Sequence, residues 1–250
     1  MILYLLTSLW LQASLADLAP PDGFVLQAEG AYAQYLLNLK LLPAGSPVHL
    51  YDGRLKGNQR AHFRVLDLEI GQKNLVQCAD AAILLRARFL YQHTLPVVFH
   101  ATNGQALEWS RYAQGERLQL RNQKLHWVAT SSPNHGPETF WRYMEQVFSY
   151  AGSMSLAFDT KPVPQSDIRA GDLIVQPGSP GHVITILAVA ENGSGEKQVL
   201  LAQSYMPAQQ IHILCAQHDQ HKAWTKWPAS GPIDTPEWSF HAPQILRWTE

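Results

Sequence analysis

Along the chain, apolar residues alternate between helical and strand-like spacing, and the changes of period mark out its elements. LVQCADAAILLRARFLY, from Leu75 to Tyr91, places Ala79, Ala82, Ile83 and Leu90 at helical intervals among good helix formers, with no Gly or Pro, and predicts a helix. PETFWRYMEQVFSYAG predicts another, with Pro137 near its start and Gly152 past its end. An apolar-rich segment from Phe24 to Leu42 predicts a lead-in helix around Ala31 to Leu39. SPVHLYDG and AHFRVLDLEI, bounded by Gly and Pro, predict two strands, since Leu66, Leu68 and Ile70 alternate as on a half-buried sheet. RLQLRNQKLHWVA predicts a hairpin in which Leu118 and Leu120 face Leu125 and Trp127 across a polar turn.

The last third changes character. DLIVQPGSPGHVITILAVAENGSGEKQVLLAQSYM holds two β-branched or Leu-rich runs separated by Asn192-Gly193, which predicts two or three antiparallel strands. KPVPQSDIRAGD is expected to be a connector, and the segment from His218 to Pro236 reads as loop. Helices grouped ahead of strands point to an α+β domain rather than to alternating βαβ units.

Composition narrows the setting. With 46% hydrophobic and 16% charged residues in 250, the chain suits one globular domain with a sizeable core. Nineteen Lys and Arg against 20 Asp and Glu leave no basic surplus to meet a phosphate backbone, so nucleic acid is not an expected partner. The N-terminus, MILYLLTSLWLQASLAD, has an apolar run from Met1 to Leu11 followed by small residues at Ser14 and Ala16, the pattern of a secretory signal over residues 1–16 cut after Ala16. The run is short for a membrane span and no Lys or Arg precedes it; a retained anchor or a buried N-terminal helix is the alternative. The expectation is an exported protein, periplasmic or extracellular, with a single mature domain over residues 17–250 and no membrane span.

Candidate chemistry centres on a thiol. A cysteine is nucleophilic as thiolate, and the unpaired N–H groups at a helix start favour that charge, which singles out Cys78. It needs an imidazole to take and return a proton, and His182 opens a strand after a tight PGSPG turn. A third polar group should hold the ring's tautomer, and Gln203 in LLAQSY fits. Each has a plainer alternative: Cys78 as a buried inert thiol or half of a disulfide with Cys215, and His182 and Gln203 as ordinary strand residues. His218 and His221 form an isolated His-x-x-His, read as solvent-facing rather than zinc-binding, so no metal is expected. Trp109, Trp127, Trp141, Trp224, Trp227 and Trp238 could offer faces to sugars, with burial in the core as the default. Asn192-Gly193-Ser194 matches a glycosylation pattern, but a hairpin turn is the better reading.

The Cys at a helix start, then Gly-Asp-Leu-Ile, then Gly-His-Val and hydrophobics, resembles the NlpC-type papain-like cysteine peptidases and amidases, over about Leu75 to Tyr91 and Asp167 to Tyr205. More of the chain is similar to an uncharacterised family of exported bacterial proteins, through YDGRLKGNQRAHFRVLDLEIG, QCADAAILLRARFLY, FHATNG, VFSYAGSMSL, LLAQSYMPAQQIHIL and TPEWSF. The NlpC resemblance implies a papain-like fold, with the Cys78 helix packed on an antiparallel sheet that bears His182. It also implies cofactor-free hydrolysis of a peptidoglycan peptide bond or of the N-acetylmuramoyl-L-alanine amide. The chain departs from the NlpC pattern beside the thiol, where Gln77 stands for Asp and Ala79-Asp80 for Ser-Gly. The oxyanion would meet the Cys78 backbone N–H, with Gln72 and Gln77 as candidates for the second donor. His100, Thr102 and Asn103 of FHATNG could line a substrate cleft near the thiol, with a turn built on Asn103-Gly104 as the equal alternative. The alternatives are a non-catalytic glycan- or peptide-binding protein on the same fold, and an ester or thioester hydrolase.

Overall fold

The structure is a computed structural model that describes residues 12–122 and 124–249. The apolar run of the expected signal, residues 1–11, lies outside the described residues.

A nine-stranded, wholly antiparallel sheet organises the chain. Seven strands lie in the order His62–Val65, His212–Leu214, Lys197–Gln203, His182–Asn192, Leu173–Gln176, Gln244–Trp248 and Thr160–Pro162. Phe24–Gln27 pairs with the His182 strand, and Thr225–Lys226 with the Lys197 strand. The long run HVITILAVA is buried on both sides, as a central strand covered on two faces must be. Val183, Leu187 and Ala188 join the larger core, which takes in the helix Cys78–Gln92, while Ile184, Ile186 and Val189 join a second core with Trp227 and Phe240. The α+β class therefore holds, with the Cys78 helix on one face of the antiparallel sheet.

Pairing between the two longest strands is interrupted once. Leu200 pairs with Ala188 but Leu201 pairs with Ile186, so Leu187 is an extra, bulged residue on the His182 strand.

Several predicted elements stand where expected. Helices cover Ala31–Leu37, Cys78–Gln92 and Pro137–Tyr150, the last with Pro137 in its first turn. In the Glu116–Arg121/Lys124–Ala129 hairpin, Leu118 faces Trp127 and Leu120 faces Leu125. Others differ. SPVHLYDG forms isolated bridges, His49 to Leu55 and Leu50 to Gln209, instead of a strand. The second expected strand is only His62–Val65; Leu66 and Ile70 are buried in the larger core beyond its end, Leu66 bridging Leu41. The connector supplies the Thr160–Pro162 strand, and the loop after His218 supplies Thr225–Lys226 and Ile233–Asp234. These short strands gain their order from partners far along the chain rather than from local pattern.

The folded unit also takes in residues ahead of the expected boundary at 17. Leu15 is 1% exposed in the core, its N–H bonds Leu39 O at 2.9 Å, and Ser14 bridges Lys40. Among the described residues no helix is long and apolar enough to cross a membrane.

Candidate functional site

Cys78 is the first residue of its helix, so its backbone N–H has no partner within the helix and faces outward with the positive end of the dipole. The loop that delivers it is pinned from the sheet side. Ser204 Oγ lies 2.7 Å from Val76 O, and Asn74 Oδ1 accepts from the Ala208 N–H at 2.7 Å. Both thiols are free, which removes the Cys78–Cys215 disulfide; Cys215 is buried and its thiol donates to Arg60 O.

His182 is placed by its turn. A Cβ on Gly181 would come 2.4 Å from Gly178 O, so only glycine permits the tight approach that starts the strand. Ala202 pairs with Thr185, and one step further Gln203 faces Ile184, which makes His182 its diagonal neighbour on the same side of the sheet. There His182 Nε2 and Gln203 Oε1 are 2.7 Å apart. The helix and the His182 ring approach from opposite faces and come together at the end of the strand. Cys78, Gln77, Asp80, Gly181, His182 and Trp238 line one cleft of about 690 Å³ there.

The hydrogen-bond chain continues past Gln203. Gln203 Nε2 donates to Glu237 Oε2 at 2.9 Å, and Glu237 is held in turn by Lys56 Nζ at 2.6 Å and by Asn58 Nδ2 at 3.1 Å. His212 Nε2 stands 3.9 Å from the same carboxylate, too far for a hydrogen bond. A carboxylate only accepts, so Glu237 draws the amide NH₂ of Gln203 toward itself and leaves Oε1 for His182. That oxygen accepts the Nε2–H, and Nδ1 is left with its lone pair free. Tyr205 and Trp238 close over the ring, with centroids at 4.8 and 5.1 Å.

Electrostatics make the resting pair neutral. Burial lowers the His182 imidazole to about 4, against the opposing pull of Gln203 and Glu237. Burial also pushes the Cys78 thiol up, although the Val183 and Ala79 N–H groups favour the thiolate. The thiolate expected from the helix start is therefore outweighed by desolvation. Burial alone would raise Glu237, but His212 and Lys56 hold it at about 2. Asp80 is 7% exposed; its Oδ2 accepts the Gln77 N–H at 3.1 Å, its Oδ1 is buried without a partner, and burial lifts its carboxyl to about 8.

The remaining candidates divide. Gln77 lies on the cleft, whereas Gln72 lines a separate cavity with His49 and Asp67. His100 does not face the thiol: its Nδ1 bonds Asp159 Oδ1 at 2.6 Å in another cavity, because the short Val98–His100 hairpin turns it toward Phe158. Thr102 bonds Tyr150 O, and Asn103 Oδ1 accepts the Gln105 N–H, so both serve the turn and line no part of the Cys78 cleft. Of the described tryptophans, Trp238 alone lines the cleft, and Trp109 packs among Tyr91, Phe140 and Tyr143. His218 and His221 are exposed beside the Asp219 turn; among the described residues no three His, Cys, Asp or Glu are placed to hold a metal. Sequence reading missed Glu237, Lys56 and His212. TPEWSF drew notice as a segment, but nothing local links Glu237 to a Gln at position 203.

Fold and site define an α+β protein in which a thiol at a helix N-terminus and an imidazole held by an amide–carboxylate chain share a cleft. The chain belongs to the family described as a domain of unknown function (4846), which matches residues 15–247. No curated protein and no solved structure matches it.

Proposed function

We propose that the protein is a papain-like cysteine hydrolase that cuts an amide bond, with bacterial peptidoglycan as the substrate class. The observation that carries this reading is the chain His182–Gln203–Glu237, which presents an imidazole with free Nδ1 to the cleft that holds Cys78. A histidine kept only for packing needs no such fixed tautomer.

The Cys78 thiol attacks the amide carbonyl as its proton passes to His182 Nδ1, so the pair works by general-base transfer from a neutral state. The sulfur and the ring are not hydrogen-bonded in the free protein, and such contacts commonly tighten only when substrate binds. The tetrahedral oxyanion is met by the Cys78 N–H, with the Gln77 side chain within the same cleft. Collapse expels the amine, which takes the proton from His182 and leaves a thioester on Cys78. Water, deprotonated by His182, then releases the carboxylic acid and restores the thiol. Export and the peptidoglycan substrate rest on the N-terminal pattern and the family resemblance.

Purified protein in reducing buffer from pH 4 to 9, incubated with peptidoglycan fragments and read by mass spectrometry, tests the reading. Cleavage by the parent and none by Cys78→Ala, with fragment binding retained, is expected. Uncut fragments at every pH would turn the assignment to a binding protein, and cleavage of short acyl esters but not amides would turn it to an esterase.

A further inference from the structure

The helix that begins at Cys78 also walls a second cleft near its other end, through Arg86, Phe89 and Leu90. At 1.5 Å per residue, Phe89 lies about 16 Å along the axis from Cys78, and the two clefts share no lining residue. The second cleft holds about 650 Å³, the volume of a small-molecule site. Its rim carries Leu95, Val98 and Phe158, which are among the few large hydrophobic side chains that the described surface exposes. The short strand Val98–His100 brings the His100 ring, 28% exposed, to the same wall. That ring stands against Phe158 with centroids 5.8 Å apart, and Phe158 rests on the turn at Gly104, where an added Cβ would come 3.2 Å from it.

One acceptor on this wall stands open. Asp159 is 8% exposed, and His100 engages both of its carboxylate oxygens: Oδ1 lies 2.6 Å from the ring Nδ1, and Oδ2 accepts the backbone N–H at 3.1 Å. Burial raises the Asp159 carboxyl, and these two N–H groups oppose it. A carboxylate only accepts, so the ring proton sits on Nδ1, and Nε2 keeps a lone pair that points away from Asp159 across the ring. Nε2 has no hydrogen-bond partner among the described residues and is not a sealed atom, so on a half-buried ring that lines the cleft it opens to the cleft. The formal charges of the wall cancel, Arg86, Arg169 and Arg247 against Glu29, Asp159 and Asp172. The matching ligand is uncharged, with an apolar body and one hydrogen to donate. We propose that this cleft is a second ligand site for a small uncharged aryl or alkyl alcohol, phenols included, whose hydroxyl donates to His100 Nε2 and whose body lies under the Leu95–Val98–Phe158 rim.

The test uses the protein at pH 8, above the ordinary imidazole value of about 6.5, with para-ethylphenol and phenethyl alcohol as probes. The controls are para-ethylanisole, which has the same body without the O–H, and hydrocinnamate, which adds a negative charge. Binding is followed by calorimetry and by the nitrogen resonances of His100, assigned from His100→Asn. That variant keeps an amide N–H for Asp159 but has nothing in the place of Nε2, and should weaken probe binding about tenfold, the loss of one hydrogen bond. In the parent, saturating probe should move the Nε2 resonance upfield, as accepting a hydrogen does, a readout that depends on no variant folding. Cys78→Ala should bind the probes as the parent does, so this result stands apart from the hydrolase reading. The inference is overturned if neither probe binds at about 10 mM, well beyond a millimolar dissociation constant, if the ether or the carboxylate binds as tightly, if the Nε2 resonance stays unmoved at saturation, or if folded His100→Asn keeps the parent's affinity.

Discussion

Gln203 Nε2 donates to Glu237 Oε2 at 2.9 Å, and this one bond decides which nitrogen of His182 keeps its lone pair. Replacing the carboxylate by an amide removes the rule that the partner must accept. In Glu237→Gln the Gln203 amide is free to turn over, offer its NH₂ to His182 Nε2 and move the ring proton to Nδ1. On the proposed hydrolase reading, turnover should then fall by up to about 10⁴-fold, the cost of a wrong tautomer in a catalytic triad. Nitrogen chemical shifts of His182 report the change directly; an unaltered tautomer with an unaltered rate would refute the relay.

The same carboxylate holds Lys56, which is nearly fully buried. Glu237→Ala should cost about 3–5 kcal/mol of stability, because a buried cation loses its partner. Lys56→Met placed on top should recover much of that loss. A double variant no more stable than Glu237→Ala, measured by urea unfolding, would show that the pair is not coupled.

On the proposed hydrolase reading, an imidazole at about 4 and a raised thiol make the neutral pair the reactive form. The acid limb of kcat/KM should lie near pH 4 instead of near the 6.5 of a free imidazole. Iodoacetamide labelling of Cys78 in the free protein should climb through the alkaline range without a plateau at acid pH. An acidic plateau in the peptide mass spectra would mean a thiolate–imidazolium pair at rest.

Asp80 gives a pH effect on stability whose sign follows from linkage. Its carboxyl sits at about 8 when folded against an ordinary 3.8, so the folded protein holds a proton that the unfolded chain has released between those values. Stability therefore falls as pH rises from about 4 to 8. Asp80→Asn keeps an oxygen for the Gln77 N–H and carries no charge, and should melt higher than the parent at pH 8 by the equivalent of at least ~1 kcal/mol, with the gap closing toward pH 4. Parallel melting curves across that range would contradict it.

Leu15 bears on the expected cut after Ala16. A cut after Ala16 would strip a buried leucine from the core, at about 2–5 kcal/mol by the cost of truncating such side chains. Protein beginning at residue 12 should be more stable to urea than protein beginning at residue 17, and if the protein is exported its sequenced N-terminus should lie upstream of Leu15. Equal stability of the two forms would remove the constraint.

The pieces legible in the sequence are those with dense local signals. Fifteen residues without Gly or Pro gave the Cys78 helix, and Asn192-Gly193 gave the long hairpin that carries His182 and Gln203. Strands of two or three residues escaped, because Thr160–Pro162 and Thr225–Lys226 have no period of their own and exist by pairing with Gln244–Trp248 and Lys197–Gln203. The site divides along the same line. Cys, His and Gln carry recognisable roles in order, whereas Glu237 acquires its role only when the chain returns to the sheet after Gln203. His100 was misplaced because adjacency in a motif says nothing about which side of a hairpin faces the cleft.

The bulge at Leu187 has a consequence for the pair it lies beside. From the turn, the hairpin register sets Leu200 against Ala188; continued unbroken it would set Gln203 against Thr185 and turn His182 and Gln203 to opposite faces of the sheet. The one unpaired residue shifts the phase by half a pleat and restores them to the same side. The relay is thus encoded in the phase of the strand as much as in the identities of its residues: with the same residues in an unbroken register, His182 and Gln203 could not meet.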